Sequence, residues 1–156
     1  MNVSAAQLRA GVAGGVVGAV TSWLYELIVW VHLLHLTSPY GIAENTAVLS
    51  FGPGIRTLGG AAFALGVGIH FLTAVIWGIG FALLWPALRA RSIEATLAAL
   101  GYGIFAWVVM HNVVLALFSP APPTYTVYSV LNGLMAHTFA FSVPMALVIK
   151  RLLRVR

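Results

Sequence analysis

The sequence lacks cysteine and is poor in charge. Without cysteine among its 156 residues, the chain has no disulfide, no thiolate metal site and no cysteine nucleophile. Charged residues make up 7% of the chain, against about 25% in ordinary globular proteins. So few charges cannot cover the surface of a soluble protein of this size, which makes lipid the predicted solvent. No run of alternating basic and aromatic residues is present, which argues against nucleic acid as a partner.

Long hydrophobic runs take the place of charge. Hydrophobic residues make up 61% of the chain, and four stretches reach the roughly 20 residues that a bilayer requires. Backbone groups in lipid must bond internally, so each stretch is predicted to be an α-helix. The first run is too long for a cleaved signal peptide and is expected to be retained. The predicted fold is an all-α membrane protein, a four-transmembrane-helix bundle in one domain (1–156), with spans at about 10–34, 58–85, 95–118 and 128–149.

Basic residues are distributed unevenly along the chain. Seven of the eight lie at the N-terminus, in the second connection and at the C-terminus: Arg9, Arg89, Arg91, Lys150, Arg151, Arg154 and Arg156. The first connection holds only Arg56, and the third, "SPAPPTYT", holds none. The positive-inside rule therefore predicts that both termini are cytoplasmic. An even number of spans agrees with that topology.

The connections and the glycines suggest how the helices are assembled. The first connection, about 36–57, contains the turn signals "TSPYG" and "FGPG", and we expect it to lie as a lid across the outer mouth of the bundle. Gly11, Gly15 and Gly18 give the first span two small-xxx-small pairs. Such pairs let helix backbones approach closely in lipid. Packing within one bundle is the favoured interpretation, and a dimerisation face is the alternative.

Each predicted span carries one ionisable residue at a similar depth. Counted from the outer ends of the spans, these residues fall within about 5 Å of one level, and they are Glu26, His70, His111 and His137. A single charged side chain near the bilayer centre costs about 2.5–3.5 kcal/mol, so the four are expected to face one another. Four nearby residues are predicted to supply hydrogen bonds to this polar layer: Ser22, Tyr25, Asn112 and Asn132.

Three roles are open for the polar layer. Imidazole and carboxylate are good transition-metal ligands, and two of the histidines could instead be axial ligands of a haem. Glutamate beside histidine can also relay protons. The structural alternative is a hydrogen-bonded network that fixes helix register. At the outer mouth, His32 and His35 are expected to meet water, and Arg56 is expected to pair with Glu44 rather than with an anionic headgroup.

Four stretches of the chain have a characteristic spacing of residues. They are "GVVGAVTSWLYE", "FGPGIRTLGG" followed by "GIHFLTAVIWGIG", "VVMHNVVLALFSPAPP" with Pro122, and "LNGLMAHTFAFSVPMALVIKR". They resemble the YagU-type family of bacterial inner-membrane proteins over most of the chain, although the first connection differs. The resemblance implies a multi-pass protein of the bacterial inner membrane with a link to survival in acid. It supplies no catalytic residue.

The leading hypothesis is a small membrane protein whose Glu/His layer binds a metal or cofactor or handles protons, with acid stress as the context that the resemblance implies. Glu26 would be the carboxylate ligand or the proton acceptor, and His70, His111 and His137 would be ligands or relay groups. One alternative is an accessory subunit that packs through its glycine faces against a larger membrane complex. Another is a membrane enzyme that acts on a lipid or quinone. The bilayer is the predicted partner, and a homo-oligomer and a larger complex are both open.

Overall fold

The computed structural model describes residues 3–120 and 124–154, so that Pro122 and Arg156 lie outside the described residues. All regular structure in these two ranges is helical. Four helices are long and apolar enough to cross a membrane, as the sequence predicts, and a fifth lies in the first connection. The helices are α1 (Ala5–Leu33), α2 (Pro39–Phe51), α3 (Gly60–Ala90), α4 (Ala95–Leu117) and α5 (Val127–Leu153).

Side-chain caps explain where the helices begin. Ser4 and Gln7 form a reciprocal capping box at the start of α1, and for this reason the helix begins before the predicted apolar boundary. Ser38 accepts a hydrogen bond from a backbone N–H in the first turn of α2, and Pro39 occupies the first helical position, which suits its fixed φ. Thr126 caps α5 in the same way as Ser4 caps α1. Hydropathy alone locates the apolar part of each helix but not its polar cap.

Glycines bring α1 into backbone contact with two antiparallel neighbours. A Cβ atom built on Gly15 would lie 2.6 Å from the carbonyl oxygen of Ala74 in α3, and one built on Gly14 would lie 2.9 Å from the carbonyl oxygen of Met145 in α5. Side chains larger than hydrogen would separate these helices. The glycines are therefore used for packing within one bundle, as the favoured interpretation held.

The bundle is closed at the end where Ala5 and Leu153 lie, which we call the terminal end. Phe81, Met145 and Ile149 have no exposed surface there. Their side chains belong to a continuous apolar core, shared by α1, α3, α4 and α5. Dense packing of this kind leaves few voids between the helices.

Helix α2 docks on the opposite end of the bundle, which we call the loop end. The Tyr40 ring stacks on Phe63 of α3 with ring centroids 5.0 Å apart, and a Cβ atom on Gly66 would overlap the Ala43 carbonyl. Arg56 pairs with Glu44 of α2, which confirms the expected ion pair. The first connection is thus a docked helix where the sequence indicated turns.

One exposed ion pair joins two helices at the terminal end. Lys150 Nζ donates to Glu94 Oε1 over 2.6 Å, linking α5 to the residue that caps α4. The hydrogen bond from Lys150 lowers the pKa of Glu94 to about 2. Glu94 therefore stays ionised at neutral pH, and its second oxygen accepts the backbone N–H of Thr96. A carboxylate at a helix N-terminus is also stabilised by the helix dipole.

Two glycines of α3 differ sharply in what a methyl group would meet, and they give a matched test of the packing. A Cβ atom on buried Gly78 would lie 2.7 Å from the backbone nitrogen of Gly15, whereas one on Gly68 would meet nothing within 4 Å. We expect Gly78→Ala to lower the free energy of unfolding by about 1–3 kcal/mol. Gly68→Ala should leave it unchanged or raise it, since alanine favours helices. Unfolding in detergent followed by circular dichroism measures both, and equal stability of the two variants would contradict this packing.

Candidate functional site

All four residues of the polar layer line one cavity. The cavity has a volume of about 350 Å³ and lies between the helices on the loop side of the closed core. Each spanning helix contributes one ionisable side chain to it: Glu26, His70, His111 and His137. Helix rotation, which the sequence left undetermined, therefore turns all four toward a common space.

The walls of the cavity are mostly apolar, and α2 forms one of them. Trp30, Trp77 and Phe141 are its aromatic residues. Helix α2 contributes five residues to the lining: Ile42, Asn45, Thr46, Leu49 and Ser50. Sequence analysis did not identify these five residues, because the turn signals of the first connection do not predict a helix packed along the bundle. The lid is therefore itself part of the site.

Each of the three histidines is held by one hydrogen bond to a backbone carbonyl oxygen. His111 Nδ1 donates over 3.0 Å to Trp107, and His137 Nδ1 donates over 2.9 Å to Gly133, in both cases four residues earlier in the same helix. His70 Nε2 donates over 3.0 Å to a carbonyl of α1. A carbonyl oxygen can only accept, so each bonded nitrogen carries the proton. In the neutral ring, the other nitrogen then has the lone pair.

Aromatic contacts fix the planes of the same rings. Trp107 stacks on His111 with ring centroids 4.8 Å apart, and His111 meets His137 edge-on at 5.5 Å. Trp23 meets His70 edge-on, also at 5.5 Å. A ring that is hydrogen-bonded at one atom and packed on its face keeps one orientation. The unbonded ring nitrogens are therefore held in defined positions.

Three of the four spanning helices widen into a π-helix at this depth. The π segments are Leu27–Leu33, directly after Glu26, then Met110–Val114 and Ala136–Ser142, which contain His111 and His137. Short π segments are rare and occur frequently at functional sites. Apolar periodicity could not reveal them, because nearly every face of these helices is apolar.

The geometry does not support the predicted metal centre. Within residues 3–120 and 124–154, no group of three or more His, Asp or Glu side chains is arranged to hold a metal ion. The four ionisable groups belong to four helices spread around a cavity much larger than one ion. A metal bound by nitrogen and oxygen would need ligand atoms about 2.0–2.2 Å from a common point. A haem has no support either.

The four residues predicted to support the layer form their hydrogen bonds elsewhere. Ser22 and Asn112 donate to carbonyl oxygens of their own helices over 3.1 and 3.0 Å. Tyr25 donates to Asn132 Oδ1 over 2.5 Å, which joins α1 to α5. Short polar side chains in a helix reach their own backbone first. Of the four, only Ser22 lines the cavity.

The candidates for the outer mouth lie outside the site. His32 and His35 are exposed, as expected of residues near the end of a span. Arg56 pairs with Glu44 and also donates to Asn45 Oδ1 over 2.8 Å. Its guanidinium therefore binds two side chains of α2 and does not line the cavity.

Comparison of the chain with protein-family models, with curated proteins and with solved structures gives no match. The resemblance to the YagU-type family stays a prediction from the spacing of sequence features. The candidate site is defined by geometry alone: an apolar cavity between the helices, one carboxyl group, and three histidines that each have one ring nitrogen bonded to the backbone.

Proposed function

We propose that this chain is a multi-pass bacterial inner-membrane protein whose cavity binds a small molecule that partitions into the bilayer. The observation that carries the proposal is that one cavity of about 350 Å³ is lined by an ionisable residue from every spanning helix. Ligand pockets in proteins measure about 300–1,000 Å³, whereas one water occupies about 30 Å³. The volume therefore suits an organic molecule better than a single ion or water.

The composition of the lining supports an amphipathic ligand. Apolar and aromatic walls suit a hydrocarbon part, and a few fixed polar groups suit a polar head that sets the orientation. Glu26 and the three histidines would hold that head. An enzyme that acts on a lipid or quinone would use the same cavity, and binding is the step that both hypotheses share.

A proton relay across the membrane has less support than binding. Beyond the cavity, the core around Phe81, Met145 and Ile149 is buried and mostly apolar, with Tyr102 as its hydroxyl-bearing member. A relay needs a chain of polar groups or water through this region. The cavity thus favours a site that opens toward one side of the bundle. A role in acid survival rests on the family resemblance alone.

We further propose that both termini are cytoplasmic, which puts the cavity in the outer half of the membrane. The chain has no native cysteine, so single cysteines can report the topology. In intact cells, a membrane-impermeant maleimide should label Thr57→Cys in the first connection. Ser92→Cys, in the second, should react only after permeabilisation, because the positive-inside rule places its arginine-flanked turn inside. The reverse pattern would contradict the orientation.

Native mass spectrometry of protein from mild detergent tests the binding proposal. We expect wild-type protein to carry a bound small molecule, and His111→Ala to carry at least about ten-fold less, since a lost hydrogen bond in a buried site costs about 1–3 kcal/mol. Asn112→Ala is the matched control, because Asn112 is the next residue and does not line the cavity. Equal occupancy in the two variants, or an empty wild-type protein, would contradict the proposal.

A further inference from the structure

We propose that the ligand of this cavity is a lipophilic amine, bound through a positively charged head that donates hydrogen bonds to Glu26 and the histidines. This inference rests on the proposed function and adds the chemical class of the ligand. It follows from the hydrogen-bond acceptors in the cavity lining, and from a single acidic group that no basic side chain accompanies.

The three histidines line the cavity, and each has one ring nitrogen that is not bonded to the backbone. In His111 and His137, the N–H at Nδ1 is bonded to the backbone of the same helix. Nε2 lies at the far edge of the imidazole and so points away from that backbone. In His70, Nε2 is the bonded atom and Nδ1 has the lone pair. Low-polarity surroundings favour the neutral ring, so each imidazole can accept one hydrogen bond from a ligand.

Three hydroxyl groups of the lining already donate their proton to the backbone. Ser22, Thr46 and Ser50 each donate to a backbone carbonyl of their own helix, over 3.1, 3.3 and 3.1 Å. A hydroxyl has one proton to donate, and its lone pairs stay available as acceptors. These three side chains can therefore only accept hydrogen bonds from a ligand, whereas Trp30 Nε1, which is buried without a partner, is an N–H donor of the same lining.

The lining contains an acidic group without a basic group beside it. Glu26 is the only acidic residue of the cavity wall, and no lysine or arginine lines it. Within the described residues, the Glu26 side chain has neither a hydrogen bond nor an ion pair to protein. A carboxyl group in a low-polarity cavity is ionised when a cationic partner offsets its lost hydration. A ligand ammonium group would supply both the opposite charge and N–H donors.

The aromatic walls favour the same class of ligand. Trp30, Trp77 and Phe141 line the cavity together with the ionisable residues. The face of an aromatic ring attracts ammonium groups as well as apolar chains. A quinone or a carboxylate ligand would instead place its acceptor oxygens against histidine lone pairs and the Glu26 carboxylate. Trp30 Nε1 would donate to one such oxygen, but neither ligand brings a hydrogen-bond donor or an opposite charge to Glu26.

Three probes with the same eight-carbon chain separate these cases: octylamine, octanol and octanoate. Binding to the full-length protein in lipid nanodiscs is measured at neutral pH by calorimetry. His111→Ala defines the part of the signal that depends on the cavity. We expect octylamine to bind at least about ten-fold more tightly than octanol, and octanoate to show no binding that depends on His111.

Two isosteric variants test the role of the charge. Glu26→Gln should reduce octylamine binding to the level of octanol and leave octanol binding within about two-fold of wild type. Glu44→Gln is the matched control, since Glu44 pairs with Arg56 outside the cavity, and it should keep the full preference for the amine. Both variants change the formal net charge of the protein by the same amount.

The outcomes distinguish the two proposals. If octanol or octanoate binds in the cavity as well as octylamine does, the amine proposal is wrong and the binding function stands. If Glu26→Gln keeps the preference for the amine, the ion pair is wrong and the amine proposal fails with it. If none of the three probes shows binding that depends on His111, both proposals are overturned.

Discussion

A polar group inside a bilayer must find its partner within the protein, and the arrangement of this chain depends on that constraint. The three histidines meet it with backbone carbonyls, each through one ring nitrogen. One ring nitrogen of each imidazole is thus hydrogen-bonded, and the position of the other ring nitrogen is fixed. Tyr25 and Asn132 meet the same constraint by pairing with each other across two helices. Glu26 is one exception among the described residues, since it lines the cavity without a protein partner, and the buried Ser142 Oγ and Trp30 Nε1 are others.

The two ends of the bundle differ in packing density. At the terminal end, glycines such as Gly15 and Gly78 let backbones touch, and a dense apolar core fills the space between helices. At the loop end, the helices leave a cavity that α2 covers. The π segments mark the transition, because a wider turn redirects the residues that follow it. The densely packed end thus holds Glu26 and the three histidines of the cavity in fixed relative positions, as a binding site requires.

The sequence predicted the four spans and the depth of Glu26, His70, His111 and His137, because hydropathy and residue counts determine both. It did not predict the helix in the first connection, whose capping by Ser38 and contact at Gly66 depend on tertiary packing. It also assigned Asn112 to the polar layer, although its amide bonds to its own helix. Rotation about a helix axis decides which side chains meet, and an almost wholly apolar sequence contains little information about rotation.

The protonation pattern of the histidines tests the central claim most directly. Nitrogen-15 NMR of histidine-labelled protein in lipid bilayers at neutral pH distinguishes a protonated ring nitrogen from one with a lone pair. His32 and His35, which are exposed, serve as internal references. We predict that His111 and His137 carry their proton on Nδ1 and that His70 carries its proton on Nε2. The opposite tautomers, or three doubly protonated rings, would show that the cavity does not present the acceptors on which ligand binding is proposed to depend.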